Sequence, residues 1–313
     1  MRRKIAIIGA GNVGATCAQR VLERGLADVA LVDVVDGMAQ GKALDLAEAA
    51  PLEGHDCRIQ GSTSYDIIKG AQVVVVTAGL ARKPGMTRSD LLDANAKIVG
   101  SIVPQITAHC PNAVLITVTN PLDTMTYLAW KLSGWPAERV IGMAGVLDSA
   151  RLRFFVAEKL GVSVQDVDAM VMGGHGDTMV PLPAYTTVNG IPLPQLLPSA
   201  EIDQLMQRTR DGGAEVVKLL KTGSAFYAPA SSSADMVQAV LNDEHRVVPA
   251  CVRLSGQYGI KDVFCGVPVR LGAKGVEQIV EIQLNDTEKA ALKKSADAVR
   301  EDMLAVDSML QKV

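Results

Sequence analysis

Three cations, Arg82, Lys83 and Arg88, fall within seven residues of the stretch "GLARKPGMTRSDLL", which is hinged by Gly79, Pro84 and Gly85. The stretch follows an apolar run, Val73 to Ala78, that reads as a buried strand. Two readings suit it: an ordinary solvated surface loop, or a loop that closes over an anion. His175 stands in "MGGHGDTMV", where flanking glycines leave room for a ligand. A loop after a strand suits a residue that does chemistry, and an imidazole suits proton transfer near neutral pH. A purely structural histidine is the plain alternative. Asp148 and Arg151, in "LDSARLR", are spaced i and i+3 and so share one helix face. Taken together they read as a surface ion pair. Taken separately, Asp148 can orient an imidazole and favour its charged form, and Arg151 can grip a carboxylate through two parallel hydrogen bonds.

A second constellation lies at the N-terminus. "GAGNVG" places Gly9, Gly11 and Gly14 in the G-x-G-x-x-G pattern, after a strand-like run and before a helix-like one. Gly9 permits the tight turn, Gly11 lets backbone approach a pyrophosphate, and Gly14 lets the helix pack close to the sheet. The stretch Gly9, Ala10, Gly11, Asn12, Val13 and Gly14 is therefore the expected pyrophosphate site, with the helix N-terminus donating N–H groups. Asp33 follows 19 residues after Gly14, at the end of the second strand-like run. A carboxylate there accepts from the ribose hydroxyls of NAD and repels a 2′-phosphate. No Arg follows it directly ("DVVDGM"), so NAD is expected rather than NADP. The alternative is a glycine turn in an α/β protein that binds no nucleotide.

The remaining histidines, His55, His109 and His245, read as structural or solvent-facing, with His109 at a helix end. Five scattered cysteines show no Cys-x-x-Cys pair and no metal spacing, which suggests reduced, buried thiols and no metal. "KTGS" at Lys221 has no Ser-x-x-Lys companion, and no Gly-x-Ser-x-Gly or His-Glu-x-x-His occurs.

These residues need elements to hold them. The first half alternates apolar strand candidates, beginning at Lys4, Val29, Cys57, Val73, Ala113 and Arg139, with helical patterns at 13–24, 38–49, 89–108 and 121–132. Strands that apolar belong in a parallel sheet covered on both faces. Six of them separated mostly by helices give the doubly wound, Rossmann-type plan. After about Met143 the pattern changes: a helix from Leu147, a strand running into the His175 loop, a Pro/Gly-rich loop or hairpin, helices at 202–221 and 225–241, strands at 247–254 and 263–271, and a terminal amphipathic helix at 287–310. The expected organisation is α/β, with a nucleotide-binding domain over 1–143 and an α+β substrate domain over 144–313.

With 31 Lys plus Arg against 34 Asp plus Glu, the net charge of −3 offers no bulk attraction to nucleic acid or anionic membranes. Anion binding must come from local placement of cations. The apolar run after "MRRK" is only Ile5 to Ile8, too short for a signal-peptide core, and no run of about 18 apolar residues suggests a membrane span. A cytoplasmic location is the expectation. "NDT" at Asn285 is a formal glycosylation sequon without a secretory context.

Taken in order, "IIGAGNVG", "VDVVDGMAQGKALDL", "ARKPGMTRSDLL", "TNPLD", "GVLDSARLR", "MGGHGDTMVPLP" and "KTGSAFYAPA" give the chain a resemblance to the lactate/malate dehydrogenase superfamily over nearly its whole length. More narrowly, it looks like the NAD-dependent, malate-oxidising branch of the lactate-dehydrogenase-like bacterial type. The resemblance implies that His175 donates and accepts the proton, that Asp148 pairs with it, and that Arg151 binds the substrate's C1 carboxylate. It implies that Asn120 touches the substrate oxygen and the nicotinamide side, and that Asn95 and Val118 line the cofactor. The cationic stretch becomes a lid: Arg88 polarises the carbonyl, and Arg82 occupies the specificity position, where lactate enzymes of this group commonly carry Gln. An Arg there suits a second carboxylate, as in oxaloacetate. Pyruvate would leave Arg82 unpaired under a closed lid, at a cost of roughly 2–5 kcal/mol. Ala225, where those lactate enzymes often have Thr, departs in the same direction. The family also implies a homodimer or homotetramer. Lactate or another 2-hydroxy acid remains the alternative substrate.

Overall fold

The apolar runs of the first half assemble as parallel strands: β1 (Lys4–Ile8), β2 (Asp28–Val32), β3 (Ile59–Ser62), β4 (Val73–Val76), β5 (Val114–Thr117) and β6 (Val140–Gly142). Between them run helices α1 (Asn12–Glu23), α2 (Met38–Glu53), α3 (Arg88–His109) and α4 (Leu122–Ser133). A computed structural model describes residues 2–80 and 87–310, the side chain of Arg88 excepted. The strands order as β3-β2-β1-β4-β5-β6, so the chain winds outward from β1 in one direction and then, through β4, in the other. The reversal leaves a crevice at the carboxyl ends of β1 and β4, the place where such sheets take ligands.

The second half opens with α5 (Gly145–Leu160) and continues through five two-residue strands: β7 (Val167–Asp168), β8 (Val171–Met172), β9 (Val180–Pro181), β10 (Thr187–Val188) and β11 (Ile191–Pro192). Helices α6 (Ser199–Leu220) and α7 (Tyr227–Leu241) follow, then β12 (Arg246–Ser255), β13 (Lys261–Gly272), β14 (Gly275–Ile279) and α8 (Asp286–Leu310). The stretch expected as a loop or hairpin is the β10–β11 hairpin. β14 was not legible in the sequence, because its residues only half bury and it offers no apolar run.

The sheet runs on past residue 143. β12 pairs antiparallel with β6, Cys251 opposite Gly142, and β13 and β14 extend the sheet to nine strands. One large core cluster therefore contains residues from both halves, from Ile5 and Val75 to Phe264 and Leu292. A second cluster covers the other face beneath α3 and α4, and a third lies between α5 and α6. Among the described residues no helix is long and apolar enough to cross a membrane.

Three local choices fix where the site-bearing helices begin. α4 is buried on every face from Leu122 through Ala129, with Asp123, Thr124 and Thr126 enclosed among its apolar residues. Its capping residue is Pro121, preceded by a cis bond from Asn120. α3 starts with a capping box: Thr87 Oγ1 accepts from the Asp90 N–H at 3.1 Å, and Asp90 Oδ2 accepts from the Thr87 N–H at 3.0 Å. That box sets Arg88 as the first helical residue. Asn285, the formal sequon, is spent in the same way on Glu288 at the start of α8.

Candidate active site

β1 ends at Ile8 and the chain turns at once. Gly9 sits at φ +106°, and a Cβ there would lie 2.6 Å from Ala78 N, so only glycine serves. A Cβ on Gly14 would run into the Gly9 carbonyl oxygen, which is the close approach of helix to strand expected from the spacing. Nothing lies within 4 Å of the same position on Gly11. No side chain caps α1, so no side chain competes for its first N–H groups. Asp33 follows β2. Its Oδ2 accepts from the Ala10 N–H at 2.6 Å and its Oδ1 from the Val35 N–H at 2.9 Å. Lys42, from α2, donates to the Ala10 carbonyl at 2.7 Å. An open glycine turn, an uncapped helix start and a carboxylate beside them fit a dinucleotide's pyrophosphate and ribose.

Across the crevice, Asn95 of α3 is fully buried. Its Nδ2 donates to the carbonyls of Leu80 (3.1 Å) and Asn120 (2.6 Å), and its Oδ1 accepts from the Leu80 N–H at 2.7 Å. The amide group is thus engaged in tying the root of the cationic stretch to the segment after β5. Val118 is held there by its N–H to the Val76 carbonyl at 2.8 Å, and Asn120 is exposed.

His175 lies on the loop between β8 and β9, and four elements pin it. Gly173 forms a two-way backbone bridge with Gly266 of β13. The Gly174 N–H donates to Ser295 Oγ of α8 at 2.7 Å. The His175 N–H donates to Asp123 Oδ2 of α4 at 2.8 Å. The ring nitrogen Nδ1 sits 2.9 Å from Asp148 Oδ2 of α5, and Arg151 Nη1 sits 3.2 Å from Asp148 Oδ1. Asp148 is 2% exposed and Arg151 half-buried, so of the two readings of this pair the exposed surface bridge does not hold. Gly212 and Gly213 of α6 leave room for the Arg151 guanidinium, and a Cβ on Gly212 would lie 3.1 Å from Arg151 Cδ.

The electrostatics favour a charged imidazole. Burial pushes the His175 pKa down, but the charge and hydrogen bond of Asp148, helped by Asp123, outweigh burial and the opposing charge of Arg151. The net shift is upward from the ordinary value. With Nδ1 bonded to Asp148, Nε2 is the nitrogen left to exchange a proton with a ligand.

The structure thus brings together His175, Asp148 and Arg151, and separately Gly9, Gly11, Gly14 and Asp33. Arg82 and Lys83 lie outside the described residues, as does the side chain of Arg88. His109 ends α3, with Nδ1 2.8 Å from the Gln105 carbonyl, and His245 lies in an exposed group with Asp243 and Glu277. All five cysteines are free and buried, as expected from their scatter. Reading the sequence missed Asp123, Ser295 and Gly266, which hold the His175 loop. They lie 52, 120 and 91 positions from it, and only "TNPLD" carried any local signal.

A doubly wound nucleotide half that shares its sheet with a half carrying a carboxylate-bound histidine and a half-buried arginine on the same carboxylate defines a nucleotide-dependent dehydrogenase. The chain belongs to the lactate/malate dehydrogenase family: residues 3–142 match the family's NAD binding domain and residues 145–309 its alpha/beta C-terminal domain. It is 58% identical to the malate dehydrogenase of Thermomicrobium roseum, covering 99% of this chain and 100% of that one. Its fold is similar to that of Picrophilus torridus malate dehydrogenase in apo form, with TM-score 0.97, 46% identity, and 100% and 99% of the two chains covered. It is also similar to a Cryptosporidium parvum lactate dehydrogenase complexed with lactic acid and nicotinamide adenine dinucleotide, at TM-score 0.95, 41% identity and 98% of each chain.

Proposed function

We infer that this chain catalyses the reversible, NAD-dependent oxidation of (S)-malate to oxaloacetate. The observation that carries the reading is the row Arg151–Asp148–His175, in which a carboxylate-gripping cation and a proton-transfer group, each half-buried, share one buried anion. Malate rather than lactate is supported by Arg82 in the sequence and by malate dehydrogenase relatives 58% and 54% identical to the chain.

Gly9, Ala10, Gly11, Asn12, Val13 and Gly14 hold the pyrophosphate, Asp33 accepts from the adenosine ribose, Asn95 and Val118 line the cofactor, and Asn120 lies toward the substrate oxygen and the nicotinamide. Bound NAD or NADH accepts or supplies the hydride at C2 of the substrate. Arg151 grips the C1 carboxylate. Arg88 polarises the C2 oxygen, and Arg82 pairs with the second carboxylate when the stretch 82–88 closes. In the reducing direction, imidazolium His175 gives the proton on Nε2 to the developing alkoxide. In the oxidising direction, neutral His175 takes the hydroxyl proton at the same nitrogen, while Asp148 steadies the charge that forms. Closure excludes water and strengthens the arginine contacts. The nucleotide and substrate halves divide near residue 143, the assembly is a homodimer or homotetramer, and the enzyme works in the cytoplasm.

The test is NADH oxidation with oxaloacetate and with pyruvate at one pH. A kcat/KM preference for oxaloacetate of about a hundredfold or more is expected from the cost of an unpaired Arg82. A preference for pyruvate would overturn the malate reading and leave the dehydrogenase reading standing.

A further inference from the structure

Asp123 stands in the first turn of α4 and takes no part in the chemistry above, yet its carboxylate is bonded to His175. It is 5% exposed, and Oδ2 accepts the His175 backbone N–H at 2.8 Å. Oδ1 is buried and has no conventional hydrogen-bond partner. A half-satisfied carboxylate in such a place is costly, and burial pushes the Asp123 carboxyl up from the usual range, against the Cys251 thiol and the His175 N–H. A neutral amide would accept the same N–H without that cost.

The groups that face Asp123 narrow what the charge can do. From β12 and β13 come Cys251 and Cys265, two fully buried thiols that burial holds in the neutral form. From the β8–β9 loop comes His175. Of these three, only His175 can carry the opposite charge. His175 in turn faces Asp148 and Arg151 from α5 and Asp123 from α4, so two carboxylates and one guanidinium surround it.

We propose that Asp123 is a positioning residue that fixes the main chain of His175 and, as a second negative charge beside Asp148, favours the imidazolium that donates the proton. The proposal rests on the acid/base reading of His175. Its logic separates two substitutions. Asp123→Asn keeps an acceptor for the N–H and removes the charge. Asp123→Ala removes both.

The experiment is an NMR titration of the His175 ring in protein free of nucleotide and substrate, with His175→Asn identifying its signal among the four histidines. In Asp123→Asn the His175 midpoint should move to lower pH. The alkaline loss of kcat/KM for oxaloacetate reduction, and the rise of malate oxidation, should both begin at correspondingly lower pH. In Asp123→Ala, kcat should fall about a hundredfold in addition, as expected for an imidazole displaced by an ångström, with KM little changed. In the unmodified protein the Asp123 carboxyl carbon signal should inflect at the His175 midpoint, a readout that needs no variant. An unmoved His175 midpoint in Asp123→Asn, or no inflection at Asp123, overturns the proposal and leaves Asp123 a structural anchor. A His175→Asn protein that turns over normally would instead remove the acid/base reading itself. If His175→Asn is inactive while the Asp123→Asn midpoint stays put, the Asp123 proposal alone fails.

Discussion

Replacing Asp148 by Asn should cost the enzyme most of its turnover while leaving its fold intact. The structure gives Asp148 two partners, His175 Nδ1 at 2.9 Å and Arg151 Nη1 at 3.2 Å, in a setting only 2% exposed. An amide can keep its oxygen toward Arg151 only by turning its NH2 toward His175, and that forces the imidazole to carry its proton on Nε2 when neutral. The neutral form then cannot accept the malate hydroxyl proton at Nε2. In the reducing direction the loss is the charge-assisted bond that steadies the imidazolium, worth about 1.5–3 kcal/mol. At 1.36 kcal/mol per factor of ten, that is about 10- to 150-fold in oxaloacetate reduction. Malate oxidation should fall further, by about 10³- to 10⁴-fold, because the wrong tautomer is added to the lost charge. The assay is steady-state kcat and KM in both directions across pH. A kcat for malate oxidation within about threefold of the unmodified enzyme would refute the reasoning, since no tautomer argument tolerates it. Stability supplies an independent check. Folding raises the His175 pKa, so the ion pair stabilises fully below the ordinary value of about 6.5, and that stabilisation is lost as pH rises through the higher folded value. The Tm difference between the unmodified and Asp148→Asn proteins should therefore be largest in the acid range and shrink toward alkaline pH.

Asp33→Ser should lower kcat/KM with NAD by about 10- to 100-fold, from the lost ribose bonds and a slackened Ala10 turn, and raise the relative use of NADP; an unchanged NAD/NADP ratio would remove Asp33 from the cofactor site. Arg82→Gln should cut the preference for oxaloacetate over pyruvate by about 30-fold or more, measured as a ratio of kcat/KM values. The five thiols should resist a disulfide reagent at neutral pH in the native protein and react in full in denaturant. Burial raises the Cys17 thiol to about 12 and raises Cys57, Cys110, Cys251 and Cys265 as well. Rapid native labelling of more than one thiol would contradict this.

Local chemistry made much of the fold legible. The inner parallel strands β1, β2, β4, β5 and β6 are legible as short apolar runs, because a strand buried on both faces has few polar residues to disguise it, whereas the edge strand β3 (Ile59–Ser62) carries Gln60 and Ser62 and is only partly buried. "GAGNVG" and Asp33 were readable because the glycine turn and the acid lie one β-α-β unit apart, a spacing set by the chain itself. The structure adds the Asp33 bond to the Ala10 N–H, which shows the acid and the turn to be one piece. The joining of the halves was not readable. β12 is an ordinary antiparallel strand in sequence, and nothing local says that Cys251 will lie opposite Gly142 and carry the sheet past the expected boundary.

The site divides along the same line. Residue types and spacing alone determined that His175 sits in a glycine-opened loop and that Asp148 and Arg151 share a helix face. They left the pair between a surface bridge and a working one, because burial is not a property of a helix face until something packs on it. The packing of α5 beneath the β8–β9 loop decided the matter by burying Asp148 between His175 and Arg151. The supports of that loop come from α4, β13 and α8, tens of residues away, and their side chains have meaning only once the core has formed. Sequence sets the chemistry a side chain can perform. The dielectric, the partner and the direction in which that chemistry points arise from contacts between distant parts of the chain, and these exist only in the folded state.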